Sequence, residues 1–237
     1  MLSVVVLISG GGSNLKALLD AAAEPGYPAH IVAVGSDTDA AGLDHARAAG
    51  VPSFVVRPRD YADRAAWGDA LAAEIRGHLK LSDISTSSMT DSSQVELVKT
   101  KNANNDYLVV SAGLMRVLPA NFVREFSPRL INTHPALLPL FPGSHAVRDA
   151  LAAGATKTGV TVHIIDEGVD TGPVLRQRVV AILADTDEDT LHEQIKQIER
   201  PLLVDTVRDI ANGSLQLNAP SVILRERSES HDPLDHN

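Results

Sequence analysis

Short runs of apolar, β-branched residues alternate with longer Ala- and Leu-rich segments along the first third of the chain. The apolar run 2–8 is followed by a glycine-rich turn and by a helical pattern over 14–23. Such alternation is typical of a mostly parallel sheet that helices cover on both faces, which is the α/β class. The further elements predicted here are strands at 31–35 and 52–56 and helices at 40–49 and about 61–78.

A second set of elements follows a long polar stretch. Residues 80–106 are rich in Ser, Thr, Asn and Asp, so they cannot bury enough apolar surface to order themselves easily. We interpret this stretch as a surface insertion between a helix and the fourth strand, which is predicted at 107–111. A helix at 119–126 and a fifth strand at 129–133 then continue the parallel pattern.

The pattern changes after Thr133. Residues 158–166 and 173–182 are two strand-like runs, and the turn that joins them contains two glycines. A short glycine-containing connection favours antiparallel pairing of the strands on either side. The sequence therefore predicts an antiparallel extension of the sheet.

A long helix is predicted from about Asp187 to about Gly213. Its first turn is acidic, which complements the positive end of the helix dipole, and a glycine is a typical residue just after a helix end. Residues 1–213 are expected to form one domain. The remainder, 214–237, is expected to add a strand-like segment and a polar tail.

Composition narrows the class of protein. The 237 residues carry a formal net charge of −9, which argues against a general nucleic-acid or anionic-membrane binder but allows a local basic pocket for one phosphate. There is no cysteine, so disulfides, thiolate metal sites and cysteine nucleophiles are excluded, and a cytoplasmic location is expected. The apolar run 2–8 is too short for a secretory core or a membrane span.

The first strand and the first helix are separated by a glycine-rich turn, SGGGSN at 9–14. Glycines let the backbone approach an anion closely, and the start of the helix offers free N–H groups and a positive dipole end. Ser13 is expected to cap the helix and to donate its hydroxyl to a phosphate. The turn matches neither the dinucleotide pattern nor the nucleotide P-loop, so a phosphate site and a tight turn without ligand both stay open.

Chemically active side chains stand at the end of the fifth strand. Asn132 and His134 are two residues apart and share one face, and Pro135 ends the strand. An amide donor beside a titratable imidazole suits acyl transfer, because the amide stabilises an oxyanion while the imidazole manages a proton. A lone histidine at a strand end is more often structural. Asp170 lies in a turn between two glycines and cannot be explained as a residue of the hydrophobic core. A carboxylate beside the imidazole would accept a proton.

Several motifs, taken in order, resemble one known family. The chain is similar to the phosphoribosylglycinamide formyltransferases, folate-dependent enzymes of purine biosynthesis, over about 4–213 apart from 80–106. The motifs that carry the resemblance are ISGGGSNL at 8–15, SAGLMR at 111–116, INTHP at 131–135 with PG at 142–143, TVH at 161–163 and DEGVDTGP at 166–173.

The resemblance implies a fold and an organisation. The fold would be the Rossmann-like formyltransferase type, with a mostly parallel central sheet, helices on both faces and an antiparallel C-terminal extension. Residues 1–213 would form a single catalytic domain. The family connects the third helix to the fourth strand more directly than this chain does, so the polar insertion at about 80–106 departs from the family pattern.

The resemblance also implies a reaction, in which the amine of glycinamide ribonucleotide attacks the formyl carbon of 10-formyltetrahydrofolate. Asn132 and a protonated His134 would stabilise the oxyanion, Asp170 would orient His134 and relay protons, and His145 would be a supporting histidine. The positions implied for glycinamide ribonucleotide are Gly12, Ser13, Asn14, Lys196 and Glu199. The positions implied for the folate are Arg64, Met115, Arg116, Val117, Leu118, Asn132, Asp166, Glu167, Gly168, Val169 and Asp170.

Alternative functions stay open. A methionyl-tRNA formyltransferase has a similar catalytic domain but adds an RNA-binding domain, and the acidic charge disfavours it. A formyltetrahydrofolate deformylase would hydrolyse the same folate, and a non-catalytic nucleotide-binding module would explain the glycine turn alone. The family reading implies small-molecule substrates, formyl folate as co-substrate, no metal, no nucleic-acid or membrane partner, and a monomer or homodimer.

Overall fold

A seven-stranded sheet forms the centre of the computed structural model, which describes residues 1–80 and 107–217. The strands in chain order are β1 (Leu2–Ile8), β2 (Ala29–Ser36), β3 (Ser53–Val55), β4 (Tyr107–Ser111), β5 (Leu130–His134), β6 (Lys157–Ile164) and β7 (Val174–Ala181). They lie in the order β3-β2-β1-β4-β5-β6-β7, with β1 to β5 parallel, β6 antiparallel to β5, and β7 antiparallel to β6. The predicted α/β class, parallel majority and antiparallel extension are confirmed.

Helices connect these strands and cover both faces of the sheet. Within the described residues they are α1 (Ser13–Ala22), α2 (Leu43–Ala48), α3 (Arg64–Leu79), α4 (Ala120–Phe126), α5 (Ala146–Ala152) and α6 (Glu188–Ala211). The predicted bounds of strands and helices differ from these by at most three residues. The sequence prediction missed α5, because seven residues give fewer than two turns of helical period.

The apolar run of β1 is buried because both faces of this strand meet helices. Val4 and Val6 belong to one core cluster, in which α1 and α6 pack against the sheet. Val5 and Leu7 belong to the other cluster, which α3 and α4 cover. Successive side chains of a strand point to opposite faces, so a strand between two helical layers reads as a continuous apolar run.

The start of α1 corrects one prediction. Ser13 does not cap this helix: Gly12 occupies the N-cap position with φ 70° and ψ 33°, and no side chain accepts a capping hydrogen bond. A Cβ added to Gly12 would lie 3.0 Å from the Cα of Gly42, just before α2. The left-handed backbone and the close neighbour both favour glycine, so the turn is shaped by packing as well as by its possible ligand.

Capping explains where the two longest helices begin. Asp63 accepts a 2.8 Å hydrogen bond from the N–H of Ala66, so α3 starts three residues later than predicted. Asp187 accepts a 2.7 Å hydrogen bond from the N–H of Thr190 at the start of α6, where the predicted acidic first turn is confirmed. The predicted stop is confirmed too, since Gly213 has φ 74° just after the helix.

The centre of the sheet contains a topological switch point, where the order of the strands reverses. Strands β2 and β3 lie on one side of β1, whereas β4 and the strands that follow lie on the other side. Ligands of open α/β sheets bind at such a switch point, beside the carboxyl ends of the strands. The glycine-rich turn after β1 meets the loop after β4 there, because the N–H of Ser9 donates a 3.0 Å hydrogen bond to the carbonyl of Gly113.

Two predicted segments lie almost wholly outside the described residues. These are the polar insertion at 80–106 and the strand-like segment with its tail at 214–237. In the part of the chain that the structure describes, no helix is long and apolar enough to cross a membrane.

Candidate active site

A cavity of about 270 Å³ opens at the carboxyl ends of β4 and β5. Its walls come from the loop after β4, from the end of β5 and from the turn between β6 and β7. Most of the residues predicted for catalysis and for the folate line it: Met115, Arg116, Val117, Leu118, Asn132, His134, Asp166, Gly168, Val169 and Asp170. Residues far apart in the sequence therefore form one concave site.

Three other predicted residues lie near this cavity without lining it. Arg64 donates a 2.7 Å hydrogen bond to the carbonyl of Val117, so it supports the cavity wall. His145 stands at the N-terminus of α5, with Nδ1 3.0 Å from the hydroxyl of Ser144. Glu167 forms an exposed ion pair with Arg124 at 3.1 Å.

The residues predicted for the ribonucleotide substrate do not line this cavity and lie in two groups, on the turn after β1 and on α6. Gly12, Ser13 and Asn14 follow β1 next to the loop after β4, and Oδ1 of Asn14 is a buried polar atom without a hydrogen-bond partner. Such an atom marks a position that a ligand can satisfy. Lys196 and Glu199 lie on α6, and Glu199 reaches the end of β5 through a hydrogen bond to Thr133.

His134 is held between two oxygen acceptors. Its Nε2 lies 2.8 Å from the carbonyl of Phe141, and its Nδ1 lies 3.4 Å from Oδ2 of Asp170. The Phe141 carbonyl and the Asp170 carboxylate thus fix the orientation of this buried ring. The structure brings Asp170 to the position that the sequence could not establish.

A second histidine, His163, joins this cluster, although it was not among the site residues predicted from the sequence. His163 pairs with Asn132 across the antiparallel β5–β6 ladder, and its Nε2 lies 3.2 Å from Nδ2 of Asn132. The same Nε2 lies 3.6 Å from Oδ1 of Asp170, while Nδ1 is 3.0 Å from the carbonyl of Ile164. The sequence signal for His163 was its place in the TVH motif at 161–163, within a strand that is buried from Thr158 onwards.

Asp170 is the carboxylate on which both histidines converge. The pKa of Asp170 is lowered from 3.8 to about 2, chiefly by His163, with the N–H of Gly143 and the charge of His134 adding to the effect and burial opposing it. The Gly143 N–H donates to Oδ2 at 2.8 Å. Asp170 also has a left-handed backbone, φ 55°, which asparagine and aspartate tolerate best among non-glycine residues. This carboxylate is thus ionised at neutral pH and fixed in place.

A buried polar network holds the loop that presents the Phe141 carbonyl to the active site. Thr161 on β6 donates a 2.6 Å hydrogen bond to the carbonyl of Ala136 and accepts one of 3.1 Å from the N–H of Leu138. Gln177 on β7 donates to the carbonyl of Leu138 at 2.9 Å. The antiparallel strands therefore anchor the loop and indirectly orient His134.

The loop after β4 forms the apolar mouth of the cavity. Met115 and Val117 are 75% and 52% exposed, and Val169 faces them with half of its surface exposed. Backbone and side-chain contacts hold this loop, since the N–H of Met115 donates to the hydroxyl of Ser9 at 2.7 Å and Arg116 pairs with the buried Asp37 at 2.8 Å. Exposed apolar side chains on a fixed loop are typical of a ligand-binding wall.

No group of three or more His, Cys, Asp or Glu side chains that could hold a metal ion occurs within residues 1–80 and 107–217. What the described cavity offers is an amide donor, two imidazoles and an ionised carboxylate, beside an apolar mouth. These groups suit transfer of an acyl group, in which an oxyanion forms and a proton moves.

Comparison with known proteins identifies the class. The formyl transferase family model matches residues 2–207, and the chain belongs to this family. It is 46% identical over 208 residues to the phosphoribosylglycinamide formyltransferase of Mycobacterium tuberculosis, a match that covers 88% of this chain and 84% of that protein. The corresponding enzyme of Bacillus subtilis is 31% identical, and the match covers 89% of that protein.

Solved structures agree with this assignment. Glycinamide ribonucleotide transformylase 1 from Symbiobacterium toebii superposes with a TM-score of 0.76 at 34% identity, covering 90% of this chain and 89% of that one. The phosphoribosylglycinamide formyltransferase of Brucella melitensis gives a TM-score of 0.73 at 36% identity, covering 91% and 98% of the two chains. The resemblance inferred from the sequence motifs is confirmed.

Proposed function

We propose that this enzyme transfers the formyl group of 10-formyltetrahydrofolate to the amine of glycinamide ribonucleotide in de novo purine biosynthesis. The products are formylglycinamide ribonucleotide and tetrahydrofolate. The proposal depends on one observation. A cluster of four side chains lines the cavity: Asn132, His134, His163 and Asp170. The names of the relatives that match most of the chain support the same formyl transfer and the same acceptor.

The reaction begins when the amine nitrogen attacks the formyl carbon and negative charge develops on the formyl oxygen. One N–H of the Asn132 amide faces His163, which leaves the second N–H available to that oxygen. A protonated His134 adds positive charge beside it, with its Nε2 held by the Phe141 carbonyl and its Nδ1 facing Asp170. Asn132 is then the direct donor, and His134 stabilises the oxyanion mainly through its charge.

The tetrahedral intermediate decomposes when the bond between the formyl carbon and N10 of the folate breaks. The amine must lose a proton and N10 must gain one, so a group that can relay a proton is needed next to the carbon. Asp170 lies at the cavity wall with Oδ2 3.4 Å from Nδ1 of His134. It relays the proton directly or through a water molecule, with no covalent enzyme intermediate.

Substrate binding divides between two sides of the site. The apolar mouth around Met115 and Val117, together with the turn from Asp166 to Asp170, receives the pterin ring of the folate. Arg116, Leu118 and Arg64 belong to the same wall or support it. On the other side, the ribonucleotide is bound by Gly12, Ser13, Asn14, Lys196 and Glu199, where the start of α1 suits a phosphate.

The absorbance change on tetrahydrofolate release tests the proposal, in assays with and without glycinamide ribonucleotide. Release that depends on this amine supports transfer, release without it indicates a hydrolase, and no release indicates a binding protein. Asn132→Ala is expected to lower turnover about 10²- to 10³-fold. Asn121→Ala is the matched control, because the Asn121 amide bonds Asp69 and the Ala65 carbonyl on α3, away from the cavity.

We also propose a domain organisation, an oligomeric state and a cellular location for this enzyme. We infer a single catalytic domain at 1–213; the predicted insertion at 80–106 and the predicted segment at 214–237 lie almost wholly outside the described residues. The enzyme is proposed to act on small molecules in the cytoplasm, as a monomer or homodimer and without a metal. The absence of cysteine and the net charge of −9 support a cytoplasmic setting and argue against nucleic-acid or membrane partners.

A further inference from the structure

Thr133 connects the catalytic strand to the longest helix. It stands between Asn132 and His134 on β5, and its side chain takes the face of the strand opposite to theirs. Its hydroxyl donates a 2.8 Å hydrogen bond to Oε1 of Glu199 on α6. Thr133 is 7% exposed and Glu199 is 8% exposed, so water cannot readily replace this contact.

Glu199 is a buried carboxylate with few partners. Among the described residues, no cation lies within ion-pair distance of it, and Thr133 is the one hydrogen-bond donor to its side chain. The two cations nearest in sequence, Lys196 and Arg200, both pair with Glu193 at 3.8 Å and 3.2 Å. A carboxylate accepts several hydrogen bonds, and a buried one is costly unless donors satisfy it.

We propose that Thr133 is a positioning residue for the amine substrate: its hydroxyl holds the Glu199 carboxylate at the carboxyl end of β5, in register with Asn132 and His134. The inference rests on the proposed function, in which Glu199 contacts glycinamide ribonucleotide. Strand β5 then contributes to two parts of the reaction. One face of β5 carries the groups that act on the formyl carbon, and the opposite face orients the carboxylate that binds the attacking substrate.

The hydroxyl can be removed with little change of shape, because valine has nearly the same volume as threonine. In Thr133→Val the Glu199 carboxylate loses its one protein donor and faces a methyl group instead. Loss of a hydrogen bond to a charged group is expected to raise the KM for glycinamide ribonucleotide about tenfold. The KM for the formyl folate is expected to stay unchanged, since that side of the cavity does not contact Glu199.

The experiment measures both KM values and kcat for the wild type, Thr133→Val and Thr133→Ser. Serine retains the hydroxyl, so it is expected to restore the KM for glycinamide ribonucleotide to within about twofold. Thr206→Val is the matched control, because Thr206 is a buried threonine on α6 whose hydroxyl bonds only the Leu202 carbonyl of the same helix. This control is expected to change the midpoint of urea unfolding without a selective change in either KM.

A double-mutant cycle separates positioning from a general loss of packing. If Thr133 acts through the carboxylate, Thr133→Val has little further effect on the KM for glycinamide ribonucleotide in a Glu199→Leu background, which has no acceptor for the hydroxyl. Independent, multiplicative effects of the two changes would overturn the proposal. An unaltered KM in Thr133→Val, or equal increases in both KM values, would overturn it too. A wild-type enzyme that does not formylate glycinamide ribonucleotide would instead refute the proposed function.

Discussion

Replacement of Asp170 by asparagine tests the electrostatic arrangement of the site through the pH dependence of stability. The pKa of Asp170 falls from 3.8 to about 2 in the folded protein, with His163 as the largest cause. One pKa unit corresponds to about 1.4 kcal/mol, so the ionised carboxylate contributes about 2 kcal/mol to the free energy of unfolding. Only 14% of the side chain is exposed, so solvent screens this contribution little.

The sign of the effect follows from the direction of the shift. Because the folded-state pKa of Asp170 lies below the unfolded-state value, its contribution is complete above about pH 5 and is lost as pH falls through 4 towards 2. About half of it remains at pH 3. The difference in unfolding free energy between the wild type and Asp170→Asn is therefore expected to shrink by about 1 kcal/mol between pH 6 and pH 3.

Urea unfolding at the two pH values measures this difference through the fluorescence of Trp67, the one tryptophan, which is buried against α4 and the sheet. Asp185→Asn is the matched control, since Asp185 is exposed and has a similar left-handed backbone, φ 63°. A difference for Asp170→Asn that does not change with pH would refute the electrostatic argument. The same pH dependence in the Asp185→Asn control would refute the argument too. At neutral pH the Asp170 variant is also expected to lose most of its turnover while it remains folded.

Three further changes address other parts of the site. Gly12→Ala is expected to destabilise the fold by about 1–3 kcal/mol and to raise the KM for glycinamide ribonucleotide. Gly26→Ala is the control for backbone strain alone, because Gly26 has φ 85° and open space around it. Equal effects of the two changes would contradict the packing argument. Arg64→Met should raise the KM for the formyl folate about 3- to 10-fold, because a carbonyl of the folate loop loses its donor, and an unchanged KM counts against that role. His163→Gln should bring the pKa of Asp170 back towards 3.8 in an NMR titration of its carboxyl carbon, and an unchanged titration would exclude His163 as the main cause.

Several features of the fold follow from local sequence alone. The apolar run of β1 predicts a strand buried on both faces, and the structure places its alternate side chains in two separate core clusters. Asp187 shows how a capping side chain marks the start of a helix, whereas the cap at Asp63 was not predicted and α3 starts three residues later than expected. The spacing of Asn132 and His134 was readable too, since residues two apart on a strand share a face. These features depend on the conformation of a few neighbouring residues, which the local sequence encodes.

Other features depended on the tertiary structure, because they join residues that are distant along the chain. His163 belongs to the site through the register of the β5–β6 ladder, which sets it opposite Asn132, and no local pattern determines that register. Thr133 and Glu199 are 66 residues apart and meet only because α6 packs on one face of the sheet. The sequence by itself thus determined the family resemblance and every strand and helix of the described residues except α5 and the short 3₁₀ turn Pro58–Asp60, and it indicated Asn132, His134 and Asp170 as candidates for acyl transfer. Only the packing of strands and helices decided which side chains meet Asp170 and Glu199, since their contacts and the low pKa of Asp170 arise from neighbours that folding brings together.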